Sequence, residues 1–510
     1  MPPTTLLGLL TASADQTAII LPESNLRISY GSLRDQVKAV AEALAANGVQ
    51  RGDRVGMALP NGLPTIVAFL AASEAGTAAP LNPAYREEEF KFYLEDTSAK
   101  VLLLPAAGAE DARRAAAACN VPVLIVEMEA DGRVTVDGPP SRERFGETGG
   151  QSYAAPGPGD VALILHTSGS TGRPKRVPLT HANLTISSRN VAATYDLSPR
   201  DVSMCVMPLF HVHGLVASTL ATLATGGTVV VPAKFSPLSF WRTVRDTGAT
   251  WYSAVPTIHQ LLLARAERGS RPAGAENLRF IRSCSAALPP PVMAGLEEAF
   301  GAPVLEAYGM TEAAHQMASN PLPPAARKPG SVGPGTNVGI SIRDEHGNAL
   351  AAGERGEVCI SGPNVVSGYE NNPEANATAF FGEWFRTGDQ GMLDEQGYLS
   401  LTGRLKEMIN RGGEKISPRE IDEVLLAHPA IAEAVAFGQP HATWGEEVAA
   451  AVTLREGAAA KEAEILAFCR ERLADFKRPK QIFITDAIPR TATGKIQRRV
   501  VAQAFSAQPS

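Results

Sequence analysis

The segment whose residue types most plainly imply chemistry is Thr167-Ser168-Gly169-Ser170-Thr171-Gly172-Arg173-Pro174-Lys175, directly after the apolar run Val161 to Leu165. Glycines and small hydroxyl residues let backbone N–H groups approach a polyphosphate, hydroxyls donate further hydrogen bonds, and Lys175 adds a mobile positive charge. The pattern differs from the GxxxxGK[ST] loop of common nucleotide hydrolases, because Pro174 precedes the lysine and Arg176 follows it. Alone, such a loop is more often a flexible surface turn, so other residues must decide. The five cysteines, Cys119, Cys205, Cys284, Cys359 and Cys469, lie far apart, with no CxxC and no histidine at zinc-ligand spacing. Most of them read as small core residues in a reducing compartment. The net charge of −6 gives no reason to expect a nucleic-acid or anionic-membrane partner. An anionic substrate then needs a local positive site.

The elements that must hold such a site follow from length and periodicity. At about 150 residues per domain, 510 residues make roughly three to four domain-sized units. With 44% hydrophobic and 20% charged residues the composition is globular, and 46 Gly and 38 Pro imply many turns. Leu33, Val37, Val40, Ala41 and Leu44 share one helical face between Ser29 as N-cap and Gly48 as stop. A further apolar helix is expected near Pro64 to Ala75, with strands at Val55 to Leu59, Val101 to Leu104 and Val123 to Val126. After the Pro/Gly-rich stretch Ala155 to Gly159, strands are expected at Val161 to Leu165, Val202 to Met207, Thr228 to Val231, Thr250 to Ala254 and Arg279 to Arg282. Strand and helix alternate, which predicts an α/β fold of parallel sheets with helices on both faces. From about Pro329 short strands punctuated by glycine predict a β-rich subdomain. A small α+β unit follows from Arg404, with a helix capped by Ser417 and Pro418, strands Ile431 to Phe437 and Val448 to Leu454, and a helix near Ile465 to Leu473. The expected division is a domain over 1–403, its β-rich part at about 330–403, and a C-terminal domain over 404–510. The short apolar run after Met1 has no basic flank, no stretch of 18 or more apolar residues occurs, and FSAQPS is not a peroxisomal address, so a cytoplasmic protein is expected.

Six segments in one order make the chain resemble the acyl-activating, adenylate-forming ligase superfamily, which includes acyl-CoA synthetases, luciferases and peptide-synthetase adenylation domains. They are the Thr167 to Lys175 loop, Tyr308-Gly309-Met310-Thr311-Glu312, Thr387-Gly388-Asp389, Gly403-Arg404-Leu405-Lys406-Glu407, Arg411-Gly412-Gly413-Glu414-Lys415-Ile416, and Pro489-Arg490-Thr491-Ala492-Thr493-Gly494-Lys495. Arg176 departs from the pattern, where the family usually has glycine. The resemblance implies two half-reactions: a carboxylate and ATP give acyl-AMP and pyrophosphate, and CoA thiol then displaces AMP. A carboxylate attacking an anionic phosphate needs positive charge and fixed geometry. By the same likeness Lys495 bridges carboxylate and α-phosphate, Thr311 bonds the α-phosphate, and Glu312 helps hold Mg2+. Thr167, Ser168, Gly169, Ser170, Thr171, Gly172, Lys175, Ala307, Tyr308, Asp389 and Arg404 would complete the nucleotide site, with Tyr308 stacking on adenine and Asp389 accepting from both ribose hydroxyls. Without that context Lys495 would read as a solvated lysine beside Arg498 and Arg499, Tyr308 as core, and Asp389 as the cap of a glycine turn. Lys406 matches a hinge between a lid-like C-terminal domain and the rest, and Gly412 and Gly413 match the CoA tunnel.

The family pattern also puts His211, in Pro208-Leu209-Phe210-His211-Val212-His213-Gly214, beside the reacting carboxylate, and makes His213, Ser285 and His315 walls of the acyl pocket. Three hydrogen-bonding side chains make a poor fatty-acid tunnel and suit a small acid with a second carboxylate. These stretches, with Trp251 to Gln260 and Asn410 to Pro418, are similar to the oxalate-CoA ligase branch of plants and fungi. The resemblance therefore implies ATP-dependent ligation of oxalate to CoA with Mg2+, and no obligate protein partner. The alternatives are a ligase for another short, medium or aromatic acid, and a non-catalytic nucleotide-binding relative.

Overall fold

The computed structural model describes residues 3–137, 153–167, 174–267, 269–490 and 496–506. The first helix, Tyr30–Ala46, starts where the Ser29 hydroxyl accepts the Ser32 amide at 3.2 Å, and it stops before Gly48, whose φ is 82°. It buries Leu33, Val37, Val40, Ala41 and Leu44, the face the periodicity predicts. Tyr30 Oη, at the helix start, donates to the carbonyls of Gly227 and Leu223 and so ties this helix to a distant segment. Helix Leu63–Ala75 is buried on nearly all sides, which explains why its sequence is apolar without a polar face. It packs on the strands Arg54–Met57, Thr77–Pro80 and Val161–Thr167, and shares one core with Leu215 and Val229 from beside another sheet.

The first sheet has seven strands in the spatial order Val134–Asp137, Val123–Met128, Val101–Pro105, Arg54–Met57, Thr77–Pro80, Val161–Thr167 and Lys175–Thr180. Its five inner strands are parallel and both edge strands antiparallel. The second has eight strands, with parallel Val304–Met310, Phe280–Ser283, Trp251–Ala254, Val202–Met204, Thr228–Val230 and Thr17–Leu21 flanked by antiparallel His315–Ser319 and Leu26–Ser29. The expected parallel sheets are present, and the antiparallel edges are hairpin returns that strand periodicity alone does not distinguish. The run expected to reach Met207 leaves the sheet at Met204. Between this strand and the next lies a π-helical stretch, His213–Leu220, which the periodicity reading missed.

A five-stranded antiparallel sheet spans Gly339–Arg343 to Leu399–Arg404, within the β-rich region expected. The last sheet has strands Ile409–Arg411, Glu414–Ile416, Ile431–His441, Gly445–Leu454 and Gln481–Ile484. One of its faces is covered by Ile421, Leu425, Ile465 and Cys469, the other by Val501 and Phe505, so this unit has its own core. Ser417 stands at the N-cap of helix Pro418–Leu426, but its hydroxyl donates to the Thr402 carbonyl instead of capping the helix. Four of the five cysteines are buried. Among the described residues no helix is long and apolar enough to cross a membrane.

Candidate active site

Of the residues expected at the phosphates, Ser168, Gly169, Ser170, Thr171, Gly172 and Lys495 lie outside the described residues. Both ends of the loop are described. Thr167 closes one strand, Lys175 opens the next, and the two are directly paired in antiparallel register. Arg176, the departure from the family pattern, anchors the outgoing strand: its Nη1 lies 2.6 Å from the Asp96 carbonyl and 3.3 Å from Glu370, and its Nε 3.4 Å from the Asp96 carboxylate. Arg54 reaches the same Glu370 at 2.5 Å, and His166 the same Asp96 at 2.9 Å.

Beside this strand pair, strand Val304–Met310 carries Ala307 and Tyr308 and ends in the turn Thr311–Ala313. Glu312 is buried, and its carboxylate accepts from Tyr369 Oη at 3.0 Å and Thr167 Oγ1 at 3.4 Å. Burial pushes its carboxyl above the usual range, with the two hydroxyls opposing. Lys175 Nζ stands 4.3 Å from the centre of the Tyr369 ring. Burial, and secondly the charge of Lys406, hold the Lys175 ammonium below the usual lysine range. Among the described residues no cluster of three His, Cys, Asp or Glu side chains could hold a metal ion. A single buried carboxylate with hydroxyl partners fits a hard cation shared with the oxygens of a phosphate ligand.

On the next sheet over, Asp389 pairs in register with Arg404. Tyr308 Oη donates to one carboxylate oxygen of Asp389, and Arg404 Nε donates to the other at 2.9 Å. Burial and the adjacent carboxylate hold the Tyr308 phenol protonated, well above its usual range. Each Asp389 oxygen retains a lone pair, so the carboxylate can still accept from a diol. Lys406 lies in the exposed turn Leu405–Glu407. Gly412 and Gly413 form the exposed two-residue turn of the hairpin Ile409–Arg411/Glu414–Ile416, with φ of 60° and 95°, values a two-residue turn needs and glycine supplies.

The residues expected at the acid converge. His213 Nδ1 is 3.1 Å from Ser285 Oγ, and the His213 and His315 rings meet edge to face with centres 5.3 Å apart. His213 and His315 are buried, Ser285 half-buried. Ser285 has φ 74° and His315 φ 134°, left-handed conformations that cost side-chain-bearing residues on the order of 1–3 kcal/mol and gather at functional sites. Gly309 lets His315 come this close, since a Cβ there would lie 3.1 Å from the His315 ring and 2.3 Å from its carbonyl. His211 is half-buried, with its ring 4.8 Å from that of Phe210 and its carbonyl accepting the Leu215 amide.

Three residues escaped the sequence reading. Arg282 is fully buried, with Nε 2.8 Å from Tyr195 Oη, Nη1 2.9 Å from Ser253 Oγ and Nη2 3.0 Å from Gln316 Oε1. Both terminal nitrogens are also 3.5 Å from a histidine, Nη1 from His213 Nε2 and Nη2 from His315 Nδ1. Its signal was available, an arginine third in the otherwise uncharged strand Phe280–Ser283. Ser253 Oγ, 2.6 Å from His213 Nε2, and Tyr369, between Lys175 and Glu312, carry no local signal.

The chain as a whole matches known proteins. Residues 10–370 match the AMP-binding enzyme family and residues 420–495 the AMP-binding enzyme C-terminal domain. The chain is 50% identical to a probable CoA ligase, CCL9, of Humulus lupulus, over 99% of this chain and 97% of that protein. It is 47% identical to an oxalate–CoA ligase of Arabidopsis thaliana, over 99% of both. The crystal structure of ATP-bound MatB from Rhodopseudomonas palustris superposes with a TM-score of 0.89 at 32% identity, covering 99% of each chain. The two family matches and these full-length likenesses make the chain a member of the AMP-binding, adenylate-forming enzyme family.

Proposed function

We propose that this chain is an ATP-dependent, AMP-forming acid–CoA ligase whose acid is oxalate. The observation that carries the substrate is the convergence of His213, Ser285 and His315 on one buried polar cluster backed by Arg282. Oxalate is a dianion near neutral pH. One carboxylate attacks the α-phosphate of ATP, pyrophosphate leaves, and the other carboxylate is held by the cluster. Stripping water from a carboxylate costs several kcal/mol, and charge-assisted hydrogen bonds return roughly 1.5–3 kcal/mol each, so two or three donors are needed. An alkyl end leaves those donors unpaired and is rejected.

In adenylation Lys495 spans the attacking carboxylate and the α-phosphate, Thr311 donates to that phosphate, His211 borders the reacting carboxylate, and Thr167 to Gly172 with Lys175 hold the outer phosphates. Asp389 accepts from the ribose hydroxyls, with Arg404 fixing its orientation, and Ala307 and Tyr308 border the adenine. Mg2+, held by Glu312 and the ATP phosphates, would offset phosphate charge when bound. The region over 404–510 acts as a lid that turns about Lys406, removing Lys495 after adenylation and bringing Gly412 and Gly413 to the path of the CoA thiol. That thiol attacks the oxalyl carbonyl, and AMP leaves. The enzyme works in the cytoplasm without an obligate protein partner. Pyrophosphate release and thioester formation across oxalate, hexanoate and coumarate test the reading: oxalate is turned over fastest, and faster turnover of either other acid overturns the choice of substrate.

A further inference from the structure

We infer that Arg282 is a positioning residue that fixes the protons of the acid pocket, so that every group offered to the far end of the substrate is a hydrogen-bond donor. The inference deepens the oxalate reading and rests on it. Arg282 is fully buried, and among the described residues none of the side chains it hydrogen-bonds is a carboxylate. A guanidinium only donates and does not lose its proton in proteins. Ser253 Oγ, 2.9 Å from Nη1, must therefore accept. Nη1 also faces His213 Nε2 at 3.5 Å, so that nitrogen presents its lone pair and the one hydrogen of the Ser253 hydroxyl is directed to it, 2.6 Å away. With Nε2 an acceptor, the His213 proton sits on Nδ1 and is donated to Ser285 Oγ at 3.1 Å. The Ser285 hydrogen is left for a ligand. On the other branch, Nη2 faces His315 Nδ1 at 3.5 Å, so that nitrogen presents its lone pair and the proton sits on Nε2.

The remaining contacts agree with this proton count. Tyr195 Oη accepts from Arg282 Nε and donates onward to Gln316 Oε1 or Ser319 Oγ, and the Gln316 amide nitrogen donates to Thr194 Oγ1. One permanent cation thus polarises two relays that run outward, through Ser253 and His213 to Ser285, and through His315. A second carboxylate, which only accepts, satisfies such a pocket. An isosteric carboxamide turns an N–H2 donor toward donors and does not.

Oxamate, the monoamide of oxalate, is therefore the discriminating substrate, since it keeps one carboxylate to adenylate. We expect the wild-type protein to favour oxalate over oxamate by about a hundredfold in kcat/KM. Ser253→Ala frees His213 to change tautomer and should narrow that ratio at least about tenfold through the KM for oxalate, the scale of one charge-assisted hydrogen bond, with the KM for ATP unchanged. Arg282→Lys should retain more of the preference than Arg282→Met. Long-range 1H–15N spectra of 15N-histidine protein, with His213 assigned by the His213→Gln variant, should show an Nδ1–H tautomer in the wild type that is lost in Ser253→Ala. An unchanged oxalate-to-oxamate ratio with an Nε2–H tautomer already in the wild type would overturn the inference. If the wild type prefers hexanoate to oxalate, the substrate reading fails, and the tautomer spectrum still decides whether the relay exists. Ser253→Ala is a small change, so the test stands even if Arg282→Met does not fold.

Discussion

Replacing Ser285 by alanine and, separately, by glycine separates two properties that meet at that residue. Its φ of 74° is strained for any residue with a Cβ, at about 1–2 kcal/mol. Alanine keeps that strain, whereas glycine removes it at an entropic cost of roughly 0.5–1 kcal/mol. The glycine variant should therefore be the more stable of the two by up to about 1 kcal/mol, worth some 2 °C of apparent Tm in a body of this size. Binding should behave differently. Both variants lose the hydroxyl that faces His213 Nδ1 at 3.1 Å, and both should raise the KM for oxalate by roughly 10- to 100-fold, the range for a hydrogen bond to a charged group. The KM for ATP should stay near wild type if Ser285 serves the acid, as proposed. Scanning fluorimetry at one fixed heating rate and steady-state pyrophosphate release make the comparison. Equal stabilities for the two variants would refute the strain argument. An unchanged oxalate KM in both would remove Ser285 from the acid pocket.

Lys495→Ala should reduce pyrophosphate exchange by about 100- to 1000-fold, the cost of one lost transition-state contact, while sparing thioester formation from supplied oxalyl-AMP; near-normal exchange would exclude the assigned role. Lys406→Pro, which fixes φ at the proposed pivot, should impair thioester formation more than adenylation in single-turnover assays, and equal loss in both steps speaks against a pivot there. Glu306 is buried, with one oxygen lacking a described partner, and burial pushes its carboxyl up to about 7. The native state then binds more protons than the unfolded chain between about pH 4.5 and 7, so this group lowers stability as pH rises through that window. Glu306→Gln should stabilise the protein at pH 8 by at most about 3 kcal/mol, read as a higher Tm than wild type, and give no gain at pH 4, whereas an equal effect at both pH values would assign it to packing.

The six motifs were readable because each is a run of neighbours whose chemistry survives without knowledge of the fold. The helix Tyr30–Ala46 was readable for a related reason, a 3.6-residue pattern with a serine cap that the structure reproduces. The stretch His213–Leu220 was not, since its widened turn leaves no periodic mark in a segment buried throughout. His213, Ser285 and His315 were named through the family pattern, yet their support was hidden. Ser253 and Arg282 sit on neighbouring parallel strands and pair in register, so their adjacency is a property of the sheet and not of the sequence. Tyr369 meets Glu312 and Lys175 from three separate segments, which no local pattern encodes.

Arg176 has a consequence for how such chains can change over time. Arg54, Asp96, Arg176 and Glu370 come from four separate segments and balance two positive charges against two negative ones beside His166. A glycine at 176 would remove one cation and leave Asp96 and Glu370 with an excess of negative charge beside the strand Lys175–Thr180. Relatives with that glycine should thus lack at least one of the two acids, and the four positions should covary as a set across the family. Grafting glycine alone into this chain should be poorly tolerated, whereas the same change made with Asp96→Asn or Glu370→Gln should be accepted, so substitutions here have a preferred order.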